Sequence, residues 1–165
     1  MRSVPIIAAI GFVVATLCAC EDSSDPVNGN DDTLAITGIT ETIDHSTTVG
    51  DDTTDWQPRS LDAGHGLVAF RPAVPNPAAI ACSVVVNVSE RSYVKVVVVN
   101  RVRDTVIHLV DALFYYPGPY VSTWDLTDDE GKPVQNDIYR MYTVVTSALD
   151  STRRVESHGD VRVQR

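Results

Sequence analysis

The chain has 165 residues and a net charge of -9, which is distributed unevenly along the sequence. From Glu21 to Ser60 there are ten acidic residues and one basic residue, whereas from Leu61 to Arg165 there are twelve acidic and eleven basic residues. The length is sufficient for one domain and a tether. Because neither part is basic, a nucleic-acid partner is excluded from the expected functions.

The first twenty residues have the pattern of an export signal. Arg2 precedes an apolar run from Val4 to Leu17 of about 14 residues, shorter than the roughly 20 residues of a membrane-spanning helix. The run ends in Leu17-Cys18-Ala19-Cys20, which resembles the lipobox of bacterial lipoproteins, with an ordinary secretory signal as the alternative. The lipobox resemblance implies that residues 1–19 are a lipoprotein signal peptide and that lipid attachment at Cys20 anchors the chain to a membrane.

Residues 20–60 are predicted to form an acidic, partly extended tether. Residues 21–33 contain acids and turn formers with almost no apolar side chain, so they cannot offset the entropy of ordering. Residues 34–57 are threonine-rich, and we expect an extended segment that Trp56 packs onto the domain. Glu21 and Asp22 are similar to surface-export signals of some lipoproteins, which favours the outer membrane or cell surface of a bacterial envelope over the inner membrane.

From Leu67 onwards, apolar residues alternate with polar ones in short runs separated by turn residues. This pattern predicts an all-β fold, an immunoglobulin-like antiparallel β-sandwich of about seven strands. The run Val96–Val99 is apolar on both faces, which is typical of a central strand. The predicted strands are Leu67–Phe70, Ala79–Val88, Tyr93–Val99, Thr105–Val110, Tyr120–Asp125, Ile138–Ser147 and Asp160–Val163.

Four motifs in this part of the chain resemble one known domain family. They are Pro75-Asn76-Pro77, Trp124-Asp125, an acidic turn with Gly131, and Ile138-Tyr139. Together they are similar to the immunoglobulin-like domain of the flagellar hook-capping protein FlgD, a relative of which ends many proteins exported by type IX secretion. The resemblance implies a FlgD-type domain over residues 61–165, in which these residues are structural.

Each motif residue also has a physical interpretation. Trp124 supplies a large core anchor, Asp125 can accept bonds from the amides of the following turn, and Gly131 allows a positive φ. The family's hairpin glycine is replaced by Arg103, which predicts a different hairpin geometry there. Residues 21–57 do not resemble the extra region that hook capping requires, so the resemblance implies no flagellar role.

No catalytic, metal or cofactor motif is present in the sequence, and we expect no enzyme activity and no cofactor. Cys82 lies in an alternating apolar run and is predicted to be a packed side chain. A calcium site at Asp125, Asp128, Asp129 and Glu130 is disfavoured because the spacing differs from that of an EF-hand loop. A solvated turn is preferred there, and no metal site is predicted.

The most distinctive surface candidate is the segment Phe114–Tyr120, in which prolines hold aromatic residues. Tyrosine gives large contact area at a low entropic cost, so Tyr115, Tyr116 and Tyr120 are predicted to contact a partner, a protein or a glycan. The alternative is that these side chains only cover one end of the sandwich. We therefore expect a non-catalytic, lipid-anchored envelope protein that presents a binding module or serves as a spacer. The other hypothesis is a C-terminal domain that acts as a type IX sorting signal.

Overall fold

The computed structural model describes residues 33–44, 47–50, 52–57, 59–60 and 66–165. These residues form ten β-strands. The strands are β1 (Glu41–Asp44), β2 (Thr47–Gly50), β3 (Arg59–Ser60), β4 (Val68–Val74), β5 (Cys82–Val88), β6 (Ser92–Val99), β7 (Thr105–Phe114), β8 (Gly118–Trp124), β9 (Ile138–Ser147) and β10 (Arg154–Arg162).

Two antiparallel sheets face each other. One has the strand order β3-β10-β9-β6-β7 and the other has the order β4-β5-β8, while β1 and β2 form a separate hairpin. The chain changes sheet between β3 and β4, between β5 and β6, between β7 and β8, and between β8 and β9. This connectivity confirms the predicted all-β, immunoglobulin-like sandwich, with seven strands from β4 to β10.

Several strand ends differ from the predicted ones. Strand β4 continues through Pro72 to Val74, beyond the predicted end at Phe70. It can do so because β4 is the edge of its sheet, where a missing N–H breaks no ladder bond. Strand β7 extends to Phe114, and the last strand begins at Arg154 rather than Asp160. Both extensions pair with β6 or β9, partners that the sequence pattern did not specify.

The core lies between the sheets and is built mainly from valine. Trp124 is fully buried in it, with its ring edge-on to Tyr139 at 5.3 Å and its Nε1 donating to the Thr127 carbonyl at 2.7 Å. Cys82 is also buried, and burial raises the pKa of its thiol to about 12. The thiol therefore stays protonated at neutral pH, as a packed side chain would.

The described part of the predicted tether packs on the sandwich. Leu34, Ile39 and Trp56 are buried, although the composition of this segment is polar and acidic. Trp56 belongs to the main hydrophobic core and lies over Gly159 of β10. A few well-placed apolar residues thus dock a segment whose average composition is that of a spacer.

Asn76 is the polar link between this segment and the sandwich. Its side-chain amide donates to the carbonyls of Thr40 and Asp160 at 2.8 Å each, and its Oδ1 accepts from Arg162 N at 2.9 Å. Its backbone N–H and C=O both bond to Thr42. Asn76 is 1% exposed, so these bonds are made in a buried site where losing a partner is costly.

A charged group lies under the same segment. Arg140 makes a two-pronged ion pair with Asp160, both contacts at 2.7 Å, and also donates to the Ala35 carbonyl at 3.0 Å. Asp55 is buried beside this pair and accepts from the backbone N–H groups of Thr40 and Asp160. Burial, with a smaller contribution from the Asp160 charge, raises the pKa of Asp55 to about 6.

Arg103 lies in the turn of the β6–β7 hairpin, at the position where the FlgD-type resemblance predicts a glycine. Arg103 has a φ of 64°, the left-handed conformation that glycine adopts most easily. Asn100 holds the turn by accepting from the N–H groups of Val102 and Asp104 at 3.0 and 2.9 Å. Arg103 thus adopts a backbone conformation that glycine favours, and the expectation that this hairpin differs from the family's stays a prediction.

Candidate binding surface

Three connections lie at the same end of the sandwich. Ser92, the first residue of β6, is opposite Phe114 of β7 and Ser147 of β9. The β5–β6 turn, the β7–β8 connection and the β9–β10 turn therefore meet at this end. In immunoglobulin variable domains, the loops at one end of the sandwich form the recognition surface.

The predicted tyrosines have two different roles. Tyr115 and Tyr116 are exposed, at 61% and 76%, and the guanidinium of Arg91 lies 4.9 Å from the centre of the Tyr115 ring. The Tyr120 ring instead stacks on Phe114 at 3.9 Å, and its hydroxyl donates to the Tyr116 carbonyl at 2.8 Å. Tyr120 therefore supports the loop, while Tyr115 and Tyr116 are available for contact.

An ion pair fixes the two flanking turns to each other. Arg153 Nη1 contacts a carboxylate oxygen of Glu90 at 2.6 Å, and the Ser147 hydroxyl donates to the other oxygen. The Ser147 hydrogen bond, followed by the Arg153 contact, holds the pKa of Glu90 below its usual value. The backbone N–H of Ala148 donates to the Arg91 carbonyl at 2.9 Å. Arg91 is thus held between the tyrosine loop and the β9–β10 turn.

Leu149 adds a further apolar side chain at this end, 73% exposed in the β9–β10 turn. We call Arg91, Tyr115, Tyr116 and Leu149 the loop end. Sequence inspection found only the two tyrosines. Arg91 and Leu149 occupy turns in the sequence, but only the tertiary fold places those turns beside Tyr115.

The family-motif residues lie at the opposite end or in the core. The loop that contains Pro75, Asn76 and Pro77 holds the N-terminal segment, and Gly131 has a φ of 75° in the turn between β8 and β9. The Tyr139 hydroxyl donates to the Gln135 carbonyl at 3.0 Å, and Ile138 begins β9 opposite Arg162. These contacts give the motif residues structural positions away from the loop end.

The acidic turn uses its carboxylates locally. Asp125 Oδ1 accepts from the Thr127 N–H and hydroxyl, and Asp128 Oδ1 accepts from the N–H groups of Glu130 and Lys132. A carboxylate oxygen of Asp129 lies 3.6 Å from Nδ1 of His108. Within the described residues, no group of three or more histidine, cysteine or acidic side chains is arranged to hold a metal ion.

The chain enters the described domain at the end opposite to the loop end. Leu34 N donates to the Arg101 carbonyl at 2.7 Å, just beyond the C-terminal end of β6. The eight residues of β6 separate the two ends, a distance of about 25 Å at the usual rise of a strand. Cys20 and the predicted signal peptide lie outside the described residues, and no helix long and apolar enough to cross a membrane occurs in the described ranges.

No protein-family model and no curated protein matches the sequence. Among solved structures, part of the chain is similar to dimeric latent PorU from Porphyromonas gingivalis, with a TM-score of 0.46 and 20% identity. The match covers 59% of this chain and 10% of that chain, so the similarity concerns only a small part of that protein. The resemblance to a FlgD-type domain and the lipoprotein signal remain predictions.

Proposed function

We propose that this protein is a non-catalytic, lipid-anchored protein of a bacterial cell envelope whose immunoglobulin-like domain presents the loop end to a protein partner. The observation that carries the proposal is that the chain enters the domain at one end and the loop end lies at the other. The described chain enters beside Arg101, and the loop end lies about one strand length away. An anchor at Cys20 would therefore attach the domain at the end remote from the exposed tyrosines.

The side chains of the loop end favour a protein over a glycan. Tyrosine and arginine are enriched at protein interfaces and at the residues that dominate binding energy. Leu149 adds apolar area without a polar group that could bond to a sugar hydroxyl. The Glu90–Arg153 pair and the Tyr120–Phe114 stack hold the turns in place, which reduces the entropy that binding must offset.

Site-specific photo-crosslinking in intact cells tests the binding role. A benzophenone side chain replaces Tyr116 in the full chain, and in the control it replaces Ile80, which is 84% exposed at the opposite end. We expect a discrete adduct from position 116 that is absent from position 80. The adduct should weaken when Tyr115→Ala and Arg91→Ala are added. Equal labelling from both positions would contradict a site at the loop end, and an adduct sensitive to glycosidase would identify a glycan instead.

The anchor is tested separately. Metabolic labelling with a clickable fatty acid should mark the full chain, and Cys20→Ser should abolish the label and release the protein from the membrane fraction. Cys18→Ser, two residues earlier, is the matched control and should keep the label. A label that persists in Cys20→Ser would overturn lipid attachment at that residue while leaving the loop-end proposal intact.

The sorting-signal hypothesis has its own test. Residues 33–165, fused to a reporter that carries its own cleavable secretory signal, are the appropriate fragment, since residues 61–165 would lack Trp56 and its core contacts. Export of this fusion by a type IX host would support a sorting signal. Retention in the periplasm would count against it.

A further inference from the structure

Strand β8 presents an unpaired edge on the sandwich. It is the last strand of the three-stranded sheet, and among the described residues it is hydrogen-bonded only to β5. An edge strand carries a row of N–H and C=O groups that can pair with another strand. The chemistry of this edge therefore specifies an extended backbone as its partner.

The register identifies the backbone groups that are free. Ser89 N donates to the Leu67 carbonyl at 2.9 Å, which extends the β4–β5 register by one residue. Because bonding directions alternate along a strand, Val84, Val86 and Val88 of β5 direct their bonds to β8. Their partners there are Ser122, Tyr120 and Gly118.

The intervening residues Pro119, Val121 and Thr123 consequently point their backbone groups away from β5. Pro119 fits this assignment, since a proline in a sheet is tolerated where its missing N–H would face outward. The free groups are therefore the N–H groups of Val121 and Thr123 and the three carbonyls. The side chains of these residues are exposed on the outer face of the sheet, with Val121 at 64%.

Two other sheet edges carry features that hinder pairing and that β8 lacks. Strand β4 carries the charged Arg71 and has an irregular register between Arg71 and Val74, both of which hinder pairing. On β7, Asp129 covers the first part of the edge, because its N–H donates to the Val106 carbonyl and its carboxylate accepts from His108 N, and the strand carries the charged Asp111 further along. The sequence of β8, Gly-Pro-Tyr-Val-Ser-Thr-Trp, contains no charged residue.

We infer that β8 is a self-association edge, at which β8 of a second copy of this chain pairs antiparallel about a two-fold axis at Val121. Each Val121 exchanges both backbone bonds with its counterpart, and each Thr123 N–H donates to Pro119 of the partner subunit. The pairing joins the two three-stranded sheets into one continuous sheet. This inference rests on the sheet edge and not on the proposed function of the loop end.

Self-complementarity favours a second copy over an unrelated peptide. The register brings the two exposed valine side chains together across the axis, a favourable cross-strand contact for β-branched residues. An uncharged strand also avoids like-charge repulsion at the junction, although the chain as a whole has a net charge of -9.

Antiparallel pairing places the two loop ends at opposite ends of the dimer. The thirteen residues from Cys20 to Asp32 can span roughly 45 Å, which lets both copies be anchored in one membrane.

Crosslinking of the full chain in native membranes tests the inference. Val121→Cys is treated with a short bis-maleimide, and Asn87→Cys is the control because Asn87 is exposed on the same face but lies on the central strand β5. Cys82 is buried and does not compete. We expect a band of twice the monomer mass from Val121→Cys and none from Asn87→Cys.

Adding Thr123→Pro to Val121→Cys should abolish the dimer band, because proline removes a donor on the free edge and leaves the bonds to β5 unchanged. Adding Tyr115→Ala and Tyr116→Ala should leave the band unchanged, which separates this edge from the loop end. Dimer bands of equal intensity from Val121→Cys and Asn87→Cys would overturn the inference. An adduct from position 121 with the mass of a different protein would overturn the second copy as the occupant.

Discussion

The indole ring of Trp56 occupies the space that a side chain at Gly159 would fill. A Cβ built on Gly159 would lie 1.9 Å from Cε2 of Trp56, closer than any two such atoms can approach. Gly159 faces the core from β10, and the ring enters there from a segment more than a hundred residues earlier in the sequence. The absence of a side chain at one position thus allows the N-terminal segment to become part of the sandwich core.

Gly159→Ala is expected to destabilise the protein by about 1–3 kcal/mol, the usual cost of overpacking a core. The methyl group would displace Trp56, so the tryptophan fluorescence of the folded state should shift to the red. Urea unfolding followed by fluorescence measures both effects. In a Trp56→Ala background, the same substitution should cost much less, because the clash is removed. An equal cost in both backgrounds would show that the two residues are not coupled.

Asp55→Asn is expected to stabilise the protein at neutral pH. The folded-state pKa of about 6 lies above the ordinary value of 3.8, so the contribution of Asp55 to the free energy of unfolding is greatest below about pH 4 and falls as pH rises through 6. Asparagine keeps an oxygen acceptor for the Thr40 and Asp160 amides and removes the buried charge. The gain should approach about 3 kcal/mol at pH 7.5 and vanish near pH 4.

Thermal unfolding at pH 4 and pH 7.5 checks this prediction, with Asp52→Asn as the control. Hydrogen bonds from Thr54 lower the pKa of Asp52, so its ionised form favours the folded state. Asp52→Asn should therefore destabilise the protein at pH 7.5 and have less effect at pH 4. A gain from Asp55→Asn that is the same at both pH values would contradict a titrating buried carboxylate.

Asn76→Ala is expected to lower the free energy of unfolding by about 3 kcal/mol, because it removes hydrogen bonds to two buried backbone groups and one partly buried one. The loss should also loosen residues 34–56, and hydrogen exchange at Thr40 and Thr42 should accelerate more than exchange in β6. Asn87→Ala, at an exposed position on β5, is the control and should be nearly neutral. An unchanged rate of hydrogen exchange at Thr40 would contradict the role of Asn76 in holding the N-terminal segment.

Arg103→Gly is expected to stabilise the β6–β7 hairpin by about 1 kcal/mol, since glycine adopts a φ of 64° without the strain of a side chain. Val102→Gly is the matched control at the preceding turn residue, whose φ is not positive, and it should destabilise the protein slightly. Chemical denaturation measures whether each substitution raises or lowers the free energy of unfolding. A loss of stability in Arg103→Gly would mean that the arginine side chain makes a compensating contact.

The N-terminal segment shows which part of the docking the sequence indicates and which part it does not. The sequence predicts that Trp56 packs an extended segment onto the domain, and Trp56 is indeed buried in the core, together with Leu34 and Ile39, which the sequence pattern does not single out. Composition averages over a window and does not register that a few apolar side chains meet a complementary surface. That surface depends on Gly159 and Asn76, which lie far from the segment in the sequence.

The candidate site shows the same division. The aromatic loop is visible in the sequence because Pro117 and Pro119 flank a glycine after three aromatic residues. Its division into an internal Tyr120 and exposed Tyr115 and Tyr116 depends on the stack with Phe114. The contribution of Arg91 depends on the pairing of β6 with β7, since only that pairing brings the preceding turn beside Tyr115.

By itself, the amino-acid sequence determined the fold class, most strand positions and the central place of Val96–Val99, because period-two alternation is a local property of a half-buried strand. Only the tertiary structure decided which strands form free edges, which tyrosines reach solvent and which end of the domain receives the N-terminal segment. These features arise from contacts between residues distant in the chain, such as Trp56 with Gly159. No local pattern encodes such contacts, because nothing in the neighbourhood of Trp56 identifies Gly159 as the residue that leaves space for its ring.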